Sequence, residues 1–357
     1  MLNKKAKKLL SCVCTILTLW HTPFPVLCAE DLSEAESAIL IEGNSGNVLY
    51  QRNADEKLPM ASTTKIMTAL TALKYKDSEE IFTVPKQAVG CEGTSAYLEE
   101  GEKYTLRDLL IALMLQSAND SAVAIATNVA GDIESFCVLM NQYAKDLGLK
   151  NTHFQNPHGL PADDHYTTAR ELAQIALEAH KNPVLSSIIK TKNATVRSLD
   201  GKTRSYSNHN KLLFSYKGAN GVKTGYTKKS GRCLVSSAER DGLLLIAVTL
   251  SSRNDWKEHS SMLDFGFSNY ESVKCSDICG ARILPVVKDG TESFVSLICE
   301  NKSVTLKKGD IERLTVRYSH PRFLYSPVRS NLHIGEAAIY LDGAELYRVK
   351  LLTEHSA

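Results

Sequence analysis

The chain has 357 residues, 43% of them apolar and 23% charged. These proportions are ordinary for a folded globular protein with a sizeable core and about two domains. Its 42 Lys and Arg against 40 Asp and Glu leave a formal net charge of +2, which excludes the basic excess that nucleic-acid-binding chains use to neutralise phosphates.

Lys4, Lys5, Lys7 and Lys8 precede an apolar run, Leu9 to Trp20, followed by Pro23, Pro25 and the small residue Ala29. A basic, then apolar, then short polar layout predicts a signal peptide over residues 1–29. The run is too short for an ordinary membrane span. The expectation is therefore an exported protein, held in the cell envelope or secreted. Leu27 is larger than cleavage after Ala29 prefers, and it also argues against lipidation of Cys28. Of nine cysteines, Cys12, Cys14 and Cys28 fall in this leader, leaving Cys91, Cys137, Cys233, Cys275, Cys279 and Cys299. Their wide scatter predicts free buried thiols, with Cys275 and Cys279 as the pair to watch. Nothing in their spacing suggests zinc.

Two β-type runs, 38–41 and 48–50, flank the turn-rich stretch 42–47 and predict a hairpin. Pro59 then precedes Ala61-Ser62-Thr63-Thr64-Lys65 and the apolar positions Ile66, Met67, Ala69, Leu70 and Leu73. That periodicity predicts a helix with Ser62 near its N-terminus. Residues three apart share a helix face, so the Lys65 amine falls beside the Ser62 hydroxyl. Serine needs such a neighbouring base to act as a nucleophile. Lysine can be that base only if burial or another cation lowers its pKa.

Residues 81–104 are turn-rich. Thr105 with Asp108 reads as a helix cap before an apolar helix, 109–115. Ser117-Ala118-Asn119 then occupies a short connection before a further helix from Ser121. A helix over 133–147 stops at Gly148. The loop Asn156-Pro157-His158-Gly159-Leu160 follows, and Thr167 or Thr168 caps a helix over 169–180, with Pro183 at its far side. His153, His158 and His165 match no common ligand spacing and read as loop histidines, with no metal expected. Three β runs, 222–227, 233–237 and 243–250, predict antiparallel strands joined by tight turns, and Lys223-Thr224-Gly225 lies on the first. A helix over 254–265 returns over them. Beyond Ser272, short β runs at 281–287, 293–299, 303–306, 314–318, 337–340 and 346–351 predict a small all-β module.

Ser-x-x-Lys alone is common. Followed in order by Ser-x-Asn and Lys-Thr-Gly, it is the signature shared by penicillin-binding proteins and serine β-lactamases. With Asn156 to Leu160, His165-Tyr166-Thr167-Thr168-Ala169 and Gly221 to Thr227, the chain resembles the low-molecular-mass penicillin-binding proteins, serine-type D-alanyl-D-alanine carboxypeptidases. The resemblance runs from about Ala38 to Tyr270 and more loosely through the β module.

The resemblance implies an α+β fold: a five-stranded antiparallel sheet with helices packed on it, a helical subdomain, and the active site between them. The expected organisation is a signal peptide at 1–29, a catalytic domain at 33–271 and a small β-rich domain at 272–357. Carried over, Ser62 is the nucleophile, Lys65 its general base and Ser117 the proton relay to the leaving amine. Asn119 holds the substrate amide and the lysine. Lys223 and Thr224 face the terminal carboxylate, and Gly225 admits the substrate backbone. The N–H groups of Ser62 and Tyr226 form the oxyanion hole.

The implied partners are peptidoglycan stem peptides ending in D-Ala-D-Ala, and β-lactams as covalent inhibitors. No cofactor, metal or nucleic acid is implied, and peripheral association with membrane or wall is left open. At His209, some relatives carry arginine, so no carboxylate role is assigned there. A serine β-lactamase is the alternative, but Glu171 lies within a helix-like run and lacks the Glu-x-x-Leu-Asn context of its deacylating glutamate. A non-catalytic wall-binding protein and a D,D-endopeptidase are the other readings.

Overall fold

The structure, a computed structural model, describes residues 32–288 and 291–356. The expected leader and its three cysteines lie outside them. Strands β1 (Ser37–Glu42) and β2 (Val48–Arg52) form the predicted hairpin. Its turn is organised by the Glu42 carboxylate, which accepts the N–H groups of Asn44 (2.9 Å), Ser45 (2.7 Å) and Asn47 (3.2 Å).

A single turn of 3-10 helix, Ala61–Thr64, carries Ser62 and leads into α1 (Lys65–Tyr75). The turn-rich region contains a short hairpin, β3 (Ile81–Thr83) with β4 (Lys103–Thr105). Next comes α2 (Leu106–Ile111), capped as expected by Thr105 Oγ1 accepting the Asp108 N–H at 3.1 Å. It does not run on to Leu115: Ala112–Gln116 widens into a π-helical turn. Helix α3 (Asn119–Ala130) begins two residues before Ser121, so Asn119 is its first residue rather than part of the connection. Helix α4 (Ile133–Asp146) is followed by Gly148 at φ +77°, the left-handed stop that glycine accommodates.

Thr168 Oγ1 caps α5 (Ala169–Lys181) through the Glu171 N–H at 3.1 Å. Pro183 opens a further helix, α6 (Pro183–Ile189), capped by Asn182. A polar hairpin, β5 (Asn193–Arg197) with β6 (Thr203–Ser207), and the short α7 (Leu212–Ser215) come before the three long strands. These are β7 (Ala219–Thr227), β8 (Gly231–Arg240) and β9 (Leu243–Ser252), followed by α8 (Asp255–Asn269).

The main sheet has the order β2-β1-β9-β8-β7, antiparallel throughout, with β7 at an edge. Its alternation feeds two cores. Ile39, Ile41, Ile246, Val248 and Leu250 pack with Ile66 and Met67 of α1 and Leu172 and Ile175 of α5. Ala38, Leu40, Leu245 and Ala247 face Met262 and Leu263 of α8. A strand covered on both sides reads as a continuous apolar run, which is why β9 shows so little polarity. Each such Leu, Ile or Met contributes about 1.5–3 kcal/mol by leaving water. Fully buried His259 anchors α8 to the sheet, within hydrogen-bonding distance of Ser236 Oγ (2.6 Å) and Thr249 Oγ1 (2.9 Å), and burial pushes its pKa down to about 3. The expected fold class is therefore observed, with the helical layer α1 to α5 standing over one face.

In the C-terminal part, β10 (Tyr270–Lys274) and α9 (Cys275–Cys279) lead into β11 (Arg282–Lys288), β12 (Thr291–Cys299), β13 (Ser303–Lys307) and β14 (Leu314–Ser319). After these come β15 (Leu324–Tyr325), β16 (His333–Leu341) and β17 (Ala344–Thr353). Six strands form one sheet, β14-β16-β17-β12-β11-β15. β13 stands apart and pairs with β10. Beside that pair, Thr305 Oγ1 donates to Glu42 of the first hairpin at 3.0 Å. The six cysteines among the described residues are free thiols; Cys91 is half-buried and the other five are buried. Cys275, Cys279 and Cys299 share the module's core, and Cys275 and Cys279 are not bridged to each other.

Candidate active site

The sequence places a hydroxyl and an amine one helical turn apart, and the fold closes three walls around them. Lys65 is fully buried, and its Nζ lies 2.9 Å from Ser62 Oγ, 2.8 Å from Asn119 Oδ1 and 2.6 Å from the His158 carbonyl oxygen. Asn119 comes from the start of α3 and His158 from the Asn-Pro-His-Gly loop. The Asn119 amide oxygen and the His158 carbonyl can only accept hydrogen bonds. A neutral Lys65 therefore spends both N–H groups on them and turns its lone pair towards the Ser62 hydroxyl.

Electrostatics favours that neutral form. Burial, and then the nearby Lys223 ammonium, hold the Lys65 pKa well below its ordinary value, while the Asp120 carboxylate pulls the other way. Lys223 on β7 is buried as well, its pKa lowered to about 7 by desolvation, and its Nζ donates to the Thr224 carbonyl at 2.9 Å. Two amines excluded from water and close together disfavour double protonation.

Gly225 follows on the same edge strand. A Cβ there would sit 2.9 Å from the Ser62 backbone nitrogen and 3.1 Å from that of Thr63, so only glycine lets β7 lie against the Ser62 turn. Tyr226, next along, is exposed. Ser117 ends the π turn in the left-handed region, φ +63°, ψ +34°, an uncommon place for a non-glycine residue. It is buried, two residues before Asn119. The structure thus gathers Ser62, Lys65 and Asn119 into one hydrogen-bonded group. Lys223, Thr224 and Gly225 line the strand beside it.

Several supports carry no side-chain signature. The lysine's third partner is a backbone carbonyl, held in place because Thr68 Oγ1 donates to the Pro157 carbonyl (2.6 Å) and Asn156 Oδ1 accepts the Gly159 N–H (2.7 Å). Gly159, at φ +89°, packs so closely on the Ala61 carbonyl that a Cβ would overlap it. His165 is not merely a loop residue. Its Nδ1 accepts the Gln155 N–H at 3.0 Å, so its Nε2–H donates to Thr64 Oγ1 at 2.8 Å, and Thr64 donates on to the Ala61 carbonyl at 2.8 Å. Burial pushes the His165 pKa down to about 4, which keeps this relay behind Ser62 neutral. Burial also lowers the His158 imidazole to about 3, with a further push from Lys65. Asp120, unremarked in the sequence reading, is buried beside Asn119.

The Glu171 carboxylate accepts the N–H groups of Lys150 (2.9 Å) and Asn151 (2.9 Å) and the Thr152 hydroxyl (2.5 Å). It ties the α4–α5 connection to α5. Among the described residues no cluster of three or more His, Cys, Asp or Glu is arranged to hold a metal ion.

The family model for D-alanyl-D-alanine carboxypeptidase matches residues 27–254, and that for the penicillin-binding protein 5 C-terminal domain matches 285–356. The chain belongs to the D-alanyl-D-alanine carboxypeptidase family. Among its relatives, D-alanyl-D-alanine carboxypeptidase DacF of Bacillus subtilis is 34% identical over 88% of this chain and 83% of its own length. DacC of Escherichia coli is 35% identical over 89% and 83%. Penicillin-binding protein 5 of Haemophilus influenzae, a solved structure, superposes with a TM-score of 0.71 at 27% identity, covering 90% of this chain and 97% of that one. The S96A mutant of the Streptomyces K15 DD-transpeptidase covers 66% of this chain and 98% of its own, at 34% identity and a TM-score of 0.63. As a family member the chain is a serine-type hydrolase of the carboxypeptidase class.

Proposed function

We propose that this family member removes the terminal D-alanine from peptidoglycan stem pentapeptides through an acyl-enzyme on Ser62, and that penicillin acylates the same oxygen. The observation that carries this reading is the buried Lys65 amine 2.9 Å from Ser62 Oγ, with both its N–H groups committed to acceptors elsewhere. Lys65 takes the Ser62 proton as Oγ attacks the carbonyl carbon of the penultimate D-alanine. The developing oxyanion meets the N–H groups of Ser62 and Tyr226, backbone donors fixed by the Ser62 turn and by β7. Collapse breaks the peptide C–N bond, and Ser117 relays the proton held on Lys65 to the departing amine, which leaves Lys65 neutral again. Water then attacks the ester and gives a proton to Lys65, which passes it to Ser62 Oγ as the ester C–O bond breaks.

Substrate binding follows from the edge strand. A peptide adds beside β7 by β-augmentation, and its free carboxylate meets Lys223 and Thr224. The arriving anion favours the protonated form of Lys223, which leaves Lys65 as the neutral member of the pair. A leader of the composition of residues 1–29 delivers the enzyme to the extracytoplasmic side, where such substrates are found. The Glu171 oxygens are taken up by the α4–α5 connection, which argues against the rapid glutamate-driven deacylation of a β-lactamase.

A D-Ala-D-Ala-terminated pentapeptide is the direct test. Release of free D-alanine and a tetrapeptide is the expected result. Cleavage only of cross-linked dimers would point to an endopeptidase. Transfer of the acyl group to an added amine in preference to water would point to the transpeptidase activity named for the Streptomyces relative.

A further inference from the structure

The Asp120 carboxylate is buried and accepts four bonds: from Ser95 Oγ (2.6 Å), from the N–H groups of Ala96 (3.0 Å) and Leu98 (3.0 Å), and from Ser121 N–H (2.9 Å). Three of these donors belong to one segment, Ser95 to Leu98, separated from Asp120 by β4, α2 and the π turn. The same segment continues back to Glu92 and Thr94, and there it grips Asn119. The Asn119 amide Nδ2 donates to the Glu92 carbonyl at 2.5 Å, and its backbone N–H to the Thr94 carbonyl at 2.7 Å. Gly93, at φ +88°, lies between them, and a Cβ there would come 2.7 Å from Asn119 Nδ2. With its amide nitrogen fixed this way, Asn119 must turn Oδ1 towards Lys65 at 2.8 Å.

We propose that Asp120 is a positioning residue for acylation: it clamps the segment 92–98 so that Asn119 presents its oxygen to Lys65, and it places a negative charge near the buried Lys65 amine. An uncompensated anion there would be costly, and four donors offset that cost. The donors come from a segment that also bears on the reacting groups, so clamp and charge act on the same lysine.

The charge has its own consequence. Lys65 faces Lys223 from β7, Asp120 from α3 and the neutral imidazole of His158 from its loop, and Lys223 in turn has His209 nearby. Burial and Lys223 drive Lys65 towards the neutral form, and Asp120 restrains them. Removing the Asp120 charge makes Lys65 easier to deprotonate, so the acid limb of acylation moves to lower pH. Losing the clamp lowers the plateau. A purely structural residue would lower the plateau and the melting temperature and leave the limb where it was.

This inference rests on the Ser62 acyl-enzyme reading. The experiment is the pH profile of the second-order acylation constant with a fluorescent penicillin, for the parent, Asp120→Asn and Ser95→Ala. For Asp120→Asn the plateau should fall about tenfold or more and the acid limb should move down by about half a pH unit or more. Ser95→Ala keeps the charge and loosens the clamp, so its plateau should fall severalfold with the limb unmoved. An Asp120→Asn protein that folds with an unmoved limb overturns the proposal, as does one that acylates at the parent rate or one that is unfolded at the assay temperature. Parent-like acylation by Ser95→Ala overturns the clamp. If the parent itself takes no penicillin on Ser62, the acyl-enzyme reading has failed and this inference falls with it.

Discussion

Gly225→Ala tests the site with a single methyl group. The substitution suits the backbone, because Gly225 does not occupy the left-handed region that only glycine favours. The space does not suit it: the new Cβ would lie 2.9 Å from Ser62 N, 3.1 Å from Thr63 N and 3.1 Å from Ala61 Cβ. Non-bonded carbon contacts settle near about 3.5–4.0 Å, so the gap between strand and turn must open by about half an ångström or more. β7 is locked to β8 in register, Lys223 opposite Val235 and Gly225 opposite Cys233. With the strand held in that register, the Ser62 turn has to shift. Its N–H is then displaced and covered by the methyl, which removes one oxyanion donor. Loss of one such donor lowers kcat about 10²- to 10³-fold, equivalent to about 2.7–4 kcal/mol. The overpacking itself costs about 1–3 kcal/mol of stability. The assay is the acylation rate with penicillin and the release of D-alanine, with the melting temperature measured alongside. A folded Gly225→Ala protein that acylates within about threefold of the parent would refute the assignment of Ser62 N–H as a working donor.

Lys223→Ala should weaken substrates ending in a free carboxylate about ten- to a hundredfold in kcat/KM, and amidated analogues far less, as loss of one charge-assisted hydrogen bond requires; equal losses on both would assign Lys223 to tuning Lys65 alone. The same residue predicts a pH dependence of stability. Its folded pKa of about 7 lies below the ordinary 10.5, so between these values the unfolded chain holds a proton that the folded one lacks, and stability rises with pH across that window. Lys223→Met should therefore melt higher than the parent near about pH 6 and lose that advantage by about pH 10; a constant difference would contradict the burial cost. Cys91 is the half-buried thiol among the six, so limited treatment of the native protein with a maleimide should label it before any other, as peptide mapping would show. Earlier labelling of Cys275, Cys279 or Cys299 would contradict the packing of the C-terminal module.

The candidate site residues were legible because their side chains are rare in combination: Ser62 with Lys65, Ser117 with Asn119, and Lys223-Thr224-Gly225. The long strands were legible too, since β9 is covered on both faces and must be apolar. The Thr105 cap was visible from its spacing to Asp108, whereas Thr167 and Thr168 both remained candidates for the next cap until the structure placed Thr168 there. Asn182 before Pro183 is also a cap followed by a proline suited to the first helical turn, and it marked α6 had it been weighed. The hairpin of β5 and β6 left little trace, because both strands are short, polar and only partly buried. What the sequence could not show is the backbone's share of the site. A carbonyl such as that of His158 exists at every residue, and only the fold makes it a lysine's partner. Gly159 and Gly93 look like turn glycines until their contacts with Ala61 and Asn119 are seen. Asp120 reads as an ordinary acid at a helix start, since its partners at Ser95 to Leu98 are set by tertiary folding.

The proposed mechanism stands on Ser62 carrying the acyl group. Intact-mass analysis after brief penicillin treatment, followed by peptide mapping, is the direct test. A single adduct of one penicillin mass should sit on the peptide containing Ser62, persisting because the opened lactam keeps its leaving group tethered, and absent in Ser62→Ala. An adduct on any other residue, or rapid turnover of penicillin with no trapped species, would contradict it.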